Sequence, residues 1–288
     1  MQRLITVPVL AALAAASSLF FTTVATAAPV VITTFEFAGA TPAAITPTRD
    51  AFRTFIGGGA VAGANGSFGG LRREINWDAV PATFSDPNPM PANFFNVNSP
   101  RGVVFSTPGT GFLLSANSGQ SVSPILFGFP NDFQTFSPQR LFTAVNSNIT
   151  DVSFFVAGTA IAATTSAFGL IFTDVEVEGL TKLEFFDENN ALMFSRNALV
   201  SGNQGLSFVG AAVSGGAISR VRITSGLNTI VSNGVLGNLI DDVVVMDDFI
   251  YAEPNRAIPE PAGLALVGVA MVGALASARR RRGEPRAT

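Results

Sequence analysis

The sequence has no cysteine and no histidine. Without cysteine there is no disulfide, no zinc–thiolate site and no thiol nucleophile. Without histidine the usual general base and the commonest metal ligand are missing, and Ser-His-Asp and Cys-His catalysis are excluded. Chemistry carried by carboxylates alone, as in glycoside hydrolysis, stays open. Lysine occurs once, at Lys182, and tryptophan and tyrosine occur once each. Only 13% of residues are charged. Residues 29–258 carry 18 acidic and 11 basic side chains, a net charge of −7. Nucleic acid is therefore not an expected partner, because its phosphates require Lys and Arg.

Apolar material is abundant. Hydrophobic residues make up 48% of the chain, and 26 of its 288 residues are phenylalanine. Such a composition can bury a large core and argues against disorder. Runs rich in Phe, Val and Ile occur at 30–37, 102–106, 111–115, 151–157, 168–177, 182–187, 191–195, 206–212, 218–224 and 243–251. Gly, Asn and Asp separate many of them at spacings near ten residues. This pattern predicts an all-β chain, an antiparallel β-sandwich of jelly-roll type. The turn signal Thr107-Pro108-Gly109-Thr110 predicts a hairpin between 102–106 and 111–115, and Asp187-Glu188-Asn189-Asn190 predicts a polar turn. One short helix is expected over 48–56, with Thr48 as its cap. The Gly-rich stretch 57–70 and the Pro/Asn-rich stretch 81–100 read as loops packed on the sandwich. A soft division falls between 30–145 and 146–254.

Both ends read as processing signals. Residues 1–27 combine Arg3, an apolar stretch to Phe21 and the small-x-small site Ala25-Thr26-Ala27, which predicts a signal peptide cleaved after Ala27. At the other end, Pro259-Glu260-Pro261 precedes 262–278, a run without any charge. At about 1.5 Å per residue this run just reaches across a hydrocarbon core of ~30 Å. Arg279, Arg280, Arg281 and Arg282 follow and would stay cytoplasmic under the positive-inside rule. The secreted body is then 28–258 and the tail 259–288.

This order of motif, short span and Arg cluster resembles the PEP-CTERM sorting signal. The resemblance covers about the last 30 residues. It implies recognition of Pro259, Glu260 and Pro261 by an exosortase, a membrane-embedded protease-transpeptidase, with Arg279–Arg282 as the cytoplasmic stop. It also implies a Gram-negative, exopolysaccharide-producing host. The segments 72–78 and 96–102, with the run 173–187, resemble uncharacterised exported bacterial proteins that carry no assigned activity.

Candidate chemistry is sparse. Glu74 and Asp78 could act as paired carboxylates, with Trp77 as a sugar-stacking face. The alternative is a structural corner in which Trp77 is buried and Arg72 or Arg73 pairs with an acid. Glu36 in the first strand and Asp248 in the last are candidate ligands for a structural calcium, drawn from a set that includes Asp241, Asp242 and Asp247. On an alternating strand Asp247 and Asp248 point to opposite faces, so one of them at most could ligate. No other cofactor is expected. The loop 57–70 lacks the signature of a phosphate-binding loop.

The expected role is an exported, surface- or matrix-sorted protein that associates with polysaccharide without catalysis. Its partners in export would be signal peptidase and the exosortase, with a transient stay in the inner membrane. The alternatives are a secreted carboxylate-dependent glycosidase or lyase and a calcium-stabilised carbohydrate-binding module.

Overall fold

The computed structural model describes residues 30–57, 63–69, 72–116, 126–129, 131–214, 217–231 and 242–256. The predicted signal peptide with Ala25 and Ala27, the sorting motif at 259–261, the span 262–278 and the Arg cluster lie outside these residues. Among the described residues no helix is long and apolar enough to cross a membrane.

Two antiparallel sheets face each other. The larger sheet has the order β1 (Val31–Gly39), β10 (Leu206–Ser214), β7 (Ala167–Thr173), β12 (Val245–Ala252), β5 (Phe142–Val145) and β4 (Gly111–Leu114). A further strand, β2 (Arg72–Ile75), pairs with the end of β12. The smaller sheet has the order β3 (Val103–Ser106), β6 (Ile149–Phe154), β11 (Arg220–Thr224), β8 (Lys182–Phe186) and β9 (Leu192–Asn197). The all-β expectation is met at this level.

The two sheets differ in what covers their outer faces, and the sequence pattern follows. Strands β6, β8 and β11 alternate strictly. Val152, Phe154, Leu183, Phe185, Val221 and Ile223 point into the sandwich, while Asp151, Glu184, Arg220 and Arg222 point out. Arg220 and Arg222 both hold Asp151 across the β6–β11 ladder, at 2.6 and 2.9 Å. A sheet with one wet face reads as alternation. In the larger sheet β7 and β12 are buried throughout. Phe168, Leu170 and Phe172 of β7 face the other sheet, whereas Ala167 and Ile171 pack under a helix.

That helix, α1 (Pro42–Ile56), is longer than expected. It starts at Pro42 and not at Thr48, and Thr41 stands at its N-cap without a side-chain cap bond. Pro42 in the first turn needs no N–H partner, so it opens the helix. Pro47 then sits inside, and the Thr46 hydroxyl donates to the Pro42 carbonyl at 2.8 Å. Ile45 and Phe52 are the buried residues of α1. Phe52 fits because Gly169 and Gly210 are opposed in the β7–β10 register. A Cβ at Gly169 would lie 2.9 Å from the Phe52 ring and 2.8 Å from the Gly210 Cα. A second short helix, α2 (Phe94–Val97), places Phe94 and Phe95 in the main core.

Two expectations are corrected. The turn at Thr107-Pro108-Gly109-Thr110 does not close a hairpin. Strand β3 before it pairs with β6 in the smaller sheet, and β4 after it pairs with β5 in the larger. The turn carries the chain from one sheet to the other, fixed by the Thr107 hydroxyl on the Ile149 carbonyl and the Thr110 N–H on the Val145 carbonyl. The soft division near residue 145 also has no counterpart, since β1, β2, β4 and β5 interleave with β7, β10 and β12 in one sheet. The polar turn at 187–190 does close a hairpin, between β8 and β9.

Candidate functional site

The candidate site lies where β12 loses its regular pairing. Met246 pairs with Phe172 of β7, and the next β7 partner of β12 is Phe249, opposite Leu170. Two residues of β12, Asp247 and Asp248, therefore face one of β7, which is a β-bulge. Met246, Phe249 and Tyr251 all remain in the core between the sheets, so the extra residue resets the side-chain phase. Both aspartates come together on the side away from that core. The expectation that they point to opposite faces is overturned, because strict alternation fails at a bulge.

The loop 131–140 closes over the pair. The Ser137 hydroxyl lies 2.8 Å from Oδ1 of Asp248 and 3.2 Å from Oδ1 of Asp247. The Phe136 N–H donates to Oδ2 of Asp247 at 2.5 Å. The Trp77 indole N–H donates to the Asp247 carbonyl at 3.1 Å. Asp247 is fully buried and Asp248 is 5% exposed. Burial and the charge of Asp248 push the Asp247 carboxyl well above the usual carboxylate range. Asp248 is raised too, chiefly by burial, while its hydrogen bonds to Ser137 and Asp247 and the guanidinium groups of Arg53 and Arg49 on α1 pull it back. Two acids this close and this dry cannot both ionise. Both carboxyls are thus shifted toward the protonated form, Asp247 the more strongly. Asp78 stands nearby with its carboxyl pushed up to about 6, first by burial and then by the Asp248 charge.

The structure places the other expected residues as follows. Glu74 lies in β2 and is held by two guanidinium groups, Arg53 at 2.5 Å and Arg72 at 2.7 Å. Trp77 is 1% exposed. It stacks on Phe142 at 4.3 Å between ring centroids and meets Phe95 and Phe249 edge-on. A ring in that position offers no face to a sugar, so the stacking reading is corrected and the structural corner stands. Glu36 is engaged by Arg196 of β9 through two hydrogen bonds. Strands β10 and β7 separate β1 from β12, which puts Glu36 roughly 14 Å from Asp248 at ~4.8 Å per strand. The expected Glu36–Asp248 calcium pair is not assembled.

No family model matches the chain, and neither a curated protein nor a solved structure matches it at a significant level.

Residues that the sequence reading passed over complete the picture. Ser137 and Arg140 come from a loop without a recognisable motif, and Arg49 and Arg53 lie on the helix. Arg73 forms a buried ion pair with Glu253 at 3.5 Å. Around it the Gly-rich loop supplies the carbonyls of Ala64 and Gly66 and the ring of Phe68. Part of that loop thus wraps a guanidinium rather than a phosphate. A second acid cluster, Asp174, Glu176 and Asp242, brings one oxygen from each carboxylate within 4.8 Å of the others.

Chemically, the Asp247–Asp248 pair can store a proton. A groove of about 870 Å³ between the edges of β1 and β9 is lined by residues including Glu36, Phe37, Arg196 and Leu199. A smaller hollow of about 240 Å³ beside Trp77 is lined by Asn76, Val80, Phe94 and Arg101 among others. Neither contains Asp78, Asp247 or Asp248.

Proposed function

We propose that this chain is an exported β-sandwich protein, sorted to the surface or extracellular matrix of an exopolysaccharide-producing Gram-negative bacterium, where it associates with polysaccharide without catalysing a reaction. The observation that carries the sorting part is the relation between the last strand and the tail. β12 is interior to the larger sheet and ends at Ala252. The proline-bracketed Glu260 follows within eight residues. Proteolysis there removes no described element, so a sorting protease can cut without opening the sandwich.

The non-catalytic part rests on the acids. Carboxylate catalysis on a polymer needs two acids facing a common cleft that admits sugar and water. Asp247 and Asp248 are enclosed, and Glu74 is neutralised by Arg53 and Arg72. Their arrangement suits a joint between β12, α1 and the loop 131–140.

The test is the mass of the mature protein recovered from its native cells. Loss of residues 1–27 together with loss of the tail near Pro259 is the expected result. Recovery from cytosol with Met1 and Thr288 both present would overturn the sorting reading. Incubation of the same material with polysaccharides should release no products. Turnover that disappears in Glu74→Gln or Asp78→Asn would overturn the non-catalytic reading.

A further inference from the structure

We infer that Asp174, Glu176 and Asp242 form a calcium site that ties the end of β7 to the segment entering β12.

The three residues arrive from two places in the chain. Asp174 directly follows β7, Glu176 lies two residues further on, and Asp242 stands just before β12. Backbone bonds fix the two inner carboxylates. Oδ1 of Asp174 accepts the Gln204 N–H at 3.0 Å, and Oδ1 of Asp242 accepts the Glu176 N–H at 3.2 Å. The second oxygen of Asp242 is different. Oδ2 is buried, in a side chain that is 5% exposed, and has no well-formed hydrogen bond among the described residues, although the Val177 N–H also lies close to this carboxylate. An ionised oxygen left in that state is unfavourable unless something else meets it.

What is missing is positive charge. Several other acids are matched by cations: Glu74 by Arg53 and Arg72, Asp151 by Arg220 and Arg222, Glu36 by Arg196, and Glu253 by Arg73. Among the described residues no Lys or Arg forms an ion pair with Asp174, Glu176 or Asp242. The charged groups acting on Asp174 are Glu176, Asp132 and Asp242, all of one sign. A bound cation resolves both features at once, giving the orphan oxygen a partner and the cluster a counter-charge.

The donor set selects the ion. All three ligands are carboxylates, and the chain has no His or Cys to favour a softer metal. Oxygens within 4.8 Å of one another can converge on one calcium, which takes oxygen ligands at about 2.4 Å, after small side-chain adjustments. Three acids set on irregular backbone suit calcium, which tolerates variable geometry, better than magnesium, which demands a near-regular octahedron. Glu176 is exposed, so the outer side is open to water ligands.

The test is calorimetric titration and thermal unfolding of the purified full chain after removal of divalent ions. Calcium should bind once per chain. At a hundredfold over its Kd it should raise the unfolding temperature by about 5–10 °C. Glu176→Gln changes an exposed side chain and should weaken calcium binding at least tenfold, while the metal-free protein unfolds at no lower a temperature than the parent. Asp242→Asn should abolish the response and raise the metal-free unfolding temperature, because an amide relieves the orphaned charge. Should Asp242→Asn fail to fold, Glu176→Gln decides alone. Absence of calcium binding to the parent chain, undiminished binding to Glu176→Gln, or an equal response to equal magnesium would overturn the assignment.

Discussion

The Trp77 indole N–H reaches the backbone carbonyl of Asp247, 170 residues along the chain, at 3.1 Å. The link has a geometric cause. On its far edge β12 is paired by β5 at Met246 and by β2 from Phe249 onward. At the bulge between them neither neighbour supplies an N–H, and a buried carbonyl without a donor is costly. Trp77, two residues beyond β2, fills the gap with its side chain. The same ring stacks on Phe142 of β5. One residue therefore joins three strands.

Trp77→Ala should destabilise the protein by about 3–5 kcal/mol, the usual cost of deleting a buried aromatic. Trp77→Phe keeps most of the packing and loses the donor, so a cost of about 1–3 kcal/mol is expected. Denaturant unfolding followed by circular dichroism measures both. In the parent protein the only tryptophan should emit at short wavelength when folded and shift to the red on unfolding.

The burial of Asp247 and Asp248 leads to a second expectation. Burial favours the protonated form of Asp247, so Asp247→Asn should change stability at neutral pH by less than about 1 kcal/mol. Asp247→Ala leaves the Phe136 N–H without its acceptor and should cost about 1–3 kcal/mol. A larger loss for the amide than for alanine would show that Asp247 is ionised.

Stability should rise as the solution is acidified from neutral. Asp78 and Asp86 both titrate near 6 in the folded protein against 3.8 ordinarily. Each binds a proton more tightly folded than unfolded. The stability they contribute is fully present below about 3.8 and is lost as pH rises through about 6. Asp151 acts in the opposite sense, because Arg222 and Arg220 hold its carboxyl below the ordinary 3.8, and its contribution fades as pH falls further. The unfolding temperature should therefore peak near pH 4. Asp78→Asn and Asp86→Asn together should flatten the descent between pH 4 and 6, which a series of thermal scans would register.

Arg73 and Glu253 are both buried, at 0% and 1% side-chain exposure. Removing either partner alone strands a charge in the interior. Arg73→Met or Glu253→Gln should each cost about 3–5 kcal/mol, and the double variant should cost less than the sum. A double-mutant cycle by chemical denaturation gives the coupling directly. Additive losses would mean that the hydrogen bonds of Arg73 to the Ala64 and Gly66 carbonyls, and not the ion pair, carry the effect.

The strands were legible where the local pattern is complete. β6, β8 and β11 show period two because one face is wet and the other dry. β7, β10 and β12 show continuous apolar runs because the second sheet covers one face and α1 the other. β2 was missed: Arg72-Arg73-Glu74-Ile75 contains three charged residues, and only the partners brought by α1 and residue 253 let them lie in a sheet. β5 was missed because four residues carry too little pattern. The helix start at Pro42 was hidden by Pro47, which resembles a first-turn proline when read alone.

The sequence by itself determined the class of the molecule. Missing Cys and His removed whole families of chemistry, and period-two apolar runs require a layered antiparallel structure. Tertiary structure alone decided which strands pair, and so which acids meet. The Thr107–Thr110 turn looks like a hairpin until β6 and β5 take its two arms into different sheets. Asp247 and Asp248 look opposed until a bulge turns them to one side. Asp174, Glu176 and Asp242 become neighbours only because β7 and β12 lie side by side. Local sequence sets the period of a strand, but phase and partner depend on contacts more than a hundred residues away.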